Sequence, residues 1–222
     1  MQRRSISPLE LLEALVDRYE TCLSSPAVFD ALVRACTQIG ATGDAYRVIK
    51  KIRLEGCWVT IHAWNNFLNH LLKLNQGDKF WKMYREVISN GYSDNVNTFN
   101  LVIYALCKEC KLREAMSVFY RMLKRGVLPN VVPFKMLIDG ACKMGNISFA
   151  LELVKKMGVM SESKLVTDEM KRGSFFVDVI TYNTLINGYC ISGNIDEAFA
   201  LCLEMKQSEG AYEDNGSSGD DS

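Results

Sequence analysis

Apolar residues recur along this chain at the spacing of helix faces, and the pattern itself repeats. From Val96, the residues Phe99, Val102, Ile103 and Leu106 fall at i, i+3, i+4 and i+7. After a short polar break Ala115, Val118, Phe119 and Met122 repeat the pattern, which predicts two amphipathic helices per unit. The second set returns as Ala45, Val48, Ile49, Ile52; as Ala150, Leu153, Val154, Met157; and as Ala198, Leu201, Cys202, Met205. Ala heads these sets because only a small side chain there lets the paired helices approach closely. Phe80, which replaces it in one unit, calls for local repacking. One aromatic marks each first helix: Phe29, Trp64, Phe99, Phe134 and Tyr182, spaced 35, 35, 35 and 48 residues apart.

Between the helices of each pair stand Gly40, Asn75, Cys110, Gly145 and Gly193. Gly and Asn tolerate the left-handed conformation that ends a helix, so Cys110 is the misfit. Gly56, Gly91, Gly126 and Gly173 close the second helices, with Pro129 in one linker. A two-helix unit cannot bury its apolar face alone, so the expected fold is all-α, an α-solenoid of stacked helix-turn-helix repeats. The repeats fall at 26–60, 61–95, 96–130, 131–178 and 179–213, the last degenerate at its end. Residues 1–25 supply a capping helix in which Ser7, Pro8 and Glu10 form an N-cap, first-turn Pro and capping box, and Leu12, Leu15 and Tyr19 an apolar stripe. The 13 residues by which the fourth repeat exceeds 35 are placed near 158–170, as an insertion that extends the helix or bulges from it. The chain is expected to be loose after about Lys206, with an acidic, disordered tail at 214–222.

Composition changes this picture in few places. The 26 basic and 26 acidic residues balance, but five acids sit in the last fourteen residues, so the body is mildly basic. No apolar run reaches the roughly 18 residues of a spanning helix, and no membrane contact is expected. "MQRRSIS" is basic and hydroxyl-rich like an organellar presequence, yet Glu10 follows too soon for a complete one. With nothing comparable to the N-terminal cap after Met205, the chain also reads as a shortened member of a longer array, or as a truncated product. The eight cysteines read as reduced thiols. Cys107 and Cys110 form a CxxC without a second ligand pair, so no metal and no cofactor are expected; Cys107, Cys142 and Cys190 occupy one recurring place and read as packing residues. Neither His62 nor His70 begins a His-x-Glu, and no Gly-rich phosphate loop occurs, so no catalysis is expected.

The 35-residue period, the text "ITYNTLINGYCISGNIDEAFALCLEM" and the linker "GVLPNV" resemble the plain form of the pentatricopeptide repeat family of plant organelles, over residues 26 to about 205. That resemblance implies a right-handed superhelix with single-stranded RNA along its concave face, one base per repeat, read by the residue after the aromatic and the last residue of the unit. Carried over, the reading pairs are Asp30 with Thr60, Asn65 with Asn95, Asn100 with Asn130, Lys135 with Asp178, and Asn183 with Glu213 or Asp214. The two Asn–Asn pairs imply two adjacent pyrimidines; Asp30 and Lys135 depart from the family's usual choices. Ala27, His62, Asn97, Val132 and Ile180 would flank the bases. Helical spacing adds a polar stripe on each first helix, such as Asn65, Asn69, Lys73 and Asn100, Tyr104, Lys108, and Lys73, Lys108 and Lys143 are candidate phosphate contacts. A merely solvated face would also be polar. The expected role is sequence-selective RNA binding in a mitochondrion, or alternatively a chloroplast, with protein partners in an organellar complex. The alternative is a non-catalytic scaffold or ribosome-associated subunit. The sequence sets no oligomeric state.

Overall fold

The computed structural model describes residues 7–19, 26–162 and 179–213, and among these every regular element is a helix. In chain order they are α1 (Pro8–Tyr19), α2 (Ala27–Gln38), α3 (Thr42–Leu54), α4 (Ile61–Lys73), α5 (Gly77–Ser89), α6 (Val96–Lys108), α7 (Leu112–Lys124), α8 (Val131–Lys143), α9 (Ile147–Glu162), α10 (Val179–Ile191) and α11 (Ile195–Glu213). The chain divides into two compact units, 1–101 and 102–222, the division falling within α6. In the first, α1 packs on α2 and α3, α2 on α3 and α4, and α4 on α5. In the second, α8 packs on α7, α9 and α10, and α10 also on α9 and α11. Within these units α2, α4, α8 and α10 thus each touch both their own partner and a first helix beside them, as stacked helix pairs do.

Local chemistry sets the helix ends. Ser7 N donates to Glu10 Oε2 at 2.8 Å and Glu10 N to Ser7 Oγ at 3.2 Å, closing the capping box of α1. All five predicted stops have positive φ: Gly40 79°, Asn75 55°, Cys110 58°, Gly145 71° and Gly193 80°. Cys110, the misfit of the sequence, takes the left-handed position because the helix end requires it. Its N–H donates to Cys107 O at 3.1 Å and that of Lys111 to Leu106 O at 2.9 Å, the two closing bonds of a Schellman motif. The bonds of the turn outweigh the side chain's preference.

The recurring apolar residues form the core. Phe29 and Trp64 are fully buried, and Phe99 and Phe134 nearly so. Ala45, Val48, Ile49 and Ile52 are fully buried on α3, as are Ala150, Leu153 and Met157 on α9. Phe80 is accommodated without exposure, its ring parallel to that of Tyr84 at 6.2 Å. The second unit shows where the recurring cysteines go. A methyl added to Gly140 would lie 3.1 Å from Cys107 Sγ, and one added to Gly188 only 2.9 Å from Cys142 Sγ. Each thiol fills the notch that a glycine leaves on the adjoining repeat's first helix. Cys190, expected to pack likewise, is exposed: among the described residues no further repeat follows to enclose it.

One expectation about the end of the chain is corrected. α11 continues to Glu213 rather than loosening after Lys206, since no Pro interrupts "KQSEGAYE" and its single Gly weakens a helix without ending it. α9 runs three residues beyond the usual thirteen, to Glu162. The rest of the 158–170 insertion lies outside the described residues, as do Gly173, Cys22 and the tail from 214.

Candidate nucleic-acid interface

Thr60, Asn95 and Asn130, the last residues of the first three predicted repeats, each stand at the N-terminus of the next first helix, and their chemistry follows from that place. Thr60 caps α4, its hydroxyl accepting from His62 N at 3.2 Å. Asn130 caps α8, its Oδ1 accepting from Val132 N at 3.1 Å. Asn95 does the same for α6, accepting from Thr98 N at 2.9 Å. Ser, Thr and Asn suit such positions because their short side chains reach the unpaired N–H groups of the first turn.

These caps meet the residue after the aromatic. Asp30 Oδ1 accepts from the backbone N of Thr60 at 2.9 Å, and its Oδ2 from the Thr60 hydroxyl. Asn65 Nδ2 donates to Asn95 Oδ1 at 3.1 Å, and the Thr98 hydroxyl lies 3.0 Å from Asn65 Oδ1. Two predicted pairs are therefore bonded pairs. Asp30, Asn65 and Asn100 are 8%, 6% and 7% exposed, which a merely solvated face would not give. Asn100 Oδ1 is buried with no hydrogen-bond partner.

Beyond this first position the stripes open to solvent. Arg34 and Gln38 on α2, and Asn69 and Lys73 on α4, are exposed. Ala27, His62, Asn97, Val132 and Ile180, the positions flanking the pairs, are exposed as well. In the second unit a cleft of about 500 Å³ gathers Tyr104, Lys108, Lys135, Asp139, Lys143 and Ile180. Lys108 Nζ sits 5.8 Å from the centre of the Tyr104 ring, and Lys143 Nζ lies 2.6 Å from Asp139 Oδ2. The bond to Asp139 raises the Lys143 pKa, so it remains a cation at any physiological pH. Asn183 is exposed on α10. Asp178 and Asp214 lie outside the described residues, and Glu213 ends α11.

Of the CxxC, Cys107 has its thiol pushed up to about 12, first by burial and then by the charge of Asp139, while Cys110 is exposed. Among the described residues no group of His, Cys, Asp and Glu could hold a metal ion, and no helix is long and apolar enough to cross a membrane. Sequence reasoning missed Thr98, Gly140 and Gly188. A Thr three residues into the repeat, at 98 and again at 181, was the available signal for the first.

Comparison with known proteins gives concordant results. A model described as the PPR repeat family matches residues 59–108 and 94–143, two matches offset by 35 residues, and models of the PPR repeat match 132–161 and 174–206. A mitochondrial pentatricopeptide repeat-containing protein of Arabidopsis thaliana is 52% identical over 161 residues, 72% of this chain and 24% of that protein. The chain thus spans about a quarter of that relative's length. Among solved structures, the pentatricopeptide repeat protein PPR10 from maize superposes over 91% of this chain and 27% of its own, with a TM-score of 0.61 at 21% identity. The same protein in complex with an 18-nt RNA element gives a TM-score of 0.56. The PPR domain of the Arabidopsis thaliana protein-only RNase P 1, in complex with tRNA, gives 0.60 at 16% identity, over 82% of this chain and 90% of that one.

Proposed function

This chain belongs to the pentatricopeptide repeat family, and from that premise we propose that it binds single-stranded RNA with sequence selectivity, one base per repeat. Its role is in the processing, stability, splicing or translation of organellar transcripts, and it acts as a binder without catalysis of its own. The repeat boundaries are those of the helix pairs, each unit ending on the cap of the following first helix. The mitochondrial designation of the 52% identical relative supports an organellar location, with the mitochondrion preferred to the chloroplast. Protein partners in an organellar complex belong to the same reading.

The observation that carries this reading is the bonded Asn65–Asn95 pair, with Asn65 buried and Asn95 half-buried. Burying an amide is expensive unless it is either satisfied internally or offered to a ligand. Here it is held rigidly beside exposed flanking residues, which is the preorganisation that reading a base needs. Asp30–Thr60, Asn100–Asn130 and Asn183 occupy the corresponding places. Lys135, with Lys108 and Lys143 in one cleft, substitutes a cation for a reading amide, so the fourth repeat contributes attraction to phosphate more than selection of a base.

Titration with short single-stranded RNAs at two salt concentrations tests the proposal. RNAs containing adjacent pyrimidines should bind more tightly than purine-only RNAs, and duplex RNA poorly because its bases are already paired. Replacing Asn65 by Ala should lose about 1 kcal/mol, the net worth of a neutral hydrogen bond, and only for RNAs varied at its own base. Absence of RNA binding at low salt would remove the proposal.

A further inference from the structure

We propose that Thr98 is a positioning residue that fixes which atoms of the Asn65–Asn95 pair face a base, and so sets the selectivity of the second repeat. The inference rests on the base-reading assignment of that pair and goes beyond it to a third residue, contributed by the next repeat. The orientation follows from one unambiguous donor. A backbone N–H only donates, so the Asn95 atom 2.9 Å from Thr98 N is its carbonyl oxygen. The Asn65 atom 3.1 Å from that oxygen must then be Nδ2, which turns Asn65 Oδ1 toward the Thr98 hydroxyl, 3.0 Å away. That hydroxyl is also 3.0 Å from Asn95 Oδ1 but has one proton. Asn95 Oδ1 already receives two donors, so the proton goes to Asn65. Thr98 Oγ1 in turn accepts from Asn95 N at 3.4 Å, a capping box with Thr in the role of the acid.

Thr98 is fully buried; Asn95 Oδ1 accepts two bonds of the network, and Asn65 Oδ1 is turned inward onto the buried Thr98 hydroxyl. The polar groups the network leaves over are N–H donors: one on Asn65 Nδ2 and two on Asn95 Nδ2. A base edge that offers acceptors is therefore matched, and one that offers donors is rejected, because neither amide can rotate without breaking a buried bond.

The next repeat supplies a contrast. Thr98 lies 33 residues beyond Asn65, and the same offset from Asn100 falls on Pro133, which has no hydroxyl. Asn100 Oδ1 is buried without a partner. No hydroxyl stands at that offset to fix the Asn100 amide, so two repeats with the same Asn–Asn pair differ in selectivity, the second strict and the third permissive.

The test is enrichment sequencing of a randomised pool of short single-stranded RNAs bound by the full chain. The wild type should show one sharp and one shallow pyrimidine column. Thr98→Val, which keeps the shape and removes the hydroxyl, should flatten the sharp column by about fivefold, the equivalent of one neutral hydrogen bond, and leave the other columns unchanged. Thr98→Ser should retain it. A purely structural role would instead lower affinity for all RNAs alike, and that result overturns the proposal. If Thr98→Val does not fold, the pair Thr98→Ser and Thr98→Ala, compared at equal folded fraction, differs by the hydroxyl: selectivity kept by Ser and lost by Ala supports the role, and selectivity kept by both overturns it. Asn65→Ala separates the two levels. If it erases the sharp column while Thr98→Val does not, positioning alone fails. If it leaves the column intact, base reading by this pair fails and the role of Thr98 with it.

Discussion

Cys110 carries a Cβ into a left-handed turn at φ 58°, where steric contact with the backbone costs roughly 1–2 kcal/mol. Cys110→Gly removes that contact and keeps both Schellman bonds, so thermal unfolding should show a gain of about 1 kcal/mol. Asn75→Gly, at φ 55°, should gain less, because Asn adopts this region more readily. Cys107 and Cys110, three residues apart in sequence, differ in exposure and so in reactivity. Burial pushes Cys107 up to about 12 and Cys142 to about 11, from an ordinary value of 9.0. Alkylation at pH 8 followed by peptide mass analysis should therefore modify exposed Cys110 and Cys190 well before Cys107 and Cys142. The sign for stability follows: both buried groups hold their protons more tightly when folded. Their contribution is intact below pH 9 and is lost as pH rises toward 11 and 12, so the melting temperature should fall across that window.

At the scale of the helix, one substitution made at three glycines should give three signs. Gly43, in the first turn of α3, has open space where a methyl would go, and Gly43→Ala should stabilise by about 0.5–1 kcal/mol through helix propensity. At Gly140 the methyl's tight contacts are with the Cys107 side chain, at 3.1 and 3.2 Å, and Leu112 Cδ1 at 3.6 Å is in ordinary contact, so crowding and propensity nearly cancel. At Gly188 it meets Ile147 Cδ1 at 2.7 Å and both Cβ and Sγ of Cys142 at 2.9 Å. The Cβ cannot swing away, and overpacking of about 1–3 kcal/mol should outweigh the propensity gain. Chemical denaturation of the three variants checks the order. The same elements show what was legible in the sequence. Helix pairs and their stops could be read because apolar period and backbone sterics are local properties. Cys110 looked wrong because a side-chain preference was weighed without the turn's hydrogen bonds. Gly140, Gly188 and Thr98 could not be read at all, since the groups that give them meaning belong to another repeat. Asn65 and Asn95 were paired only through the family's pattern; the bond between them is visible only in the fold.

For the molecule as a whole, the proposed phosphate contacts of the lysines predict how RNA binding responds to salt. If Lys73 and Lys143 meet phosphates, replacing either by Gln should weaken all single-stranded RNAs in parallel and flatten the log–log salt slope by about 0.7 per residue. Asp139 offsets Lys143 at 2.6 Å, so Asp139→Asn should tighten binding to every RNA at low salt, which filter-binding titrations would show. Unequal effects across RNA sequences would instead place these residues among the base readers. A different consequence follows from the cap that Asn95 provides to α6. The group that finishes one repeat is anchored by the opening turn of the next, so the proposed reading unit is offset from the structural one. Recombination between repeats that crosses over at residue 95 joins Asn65 to a foreign brace, even when every letter of both repeats is kept intact. A cassette meant to carry its selectivity into a new array must be cut after Thr98, three residues into its neighbour.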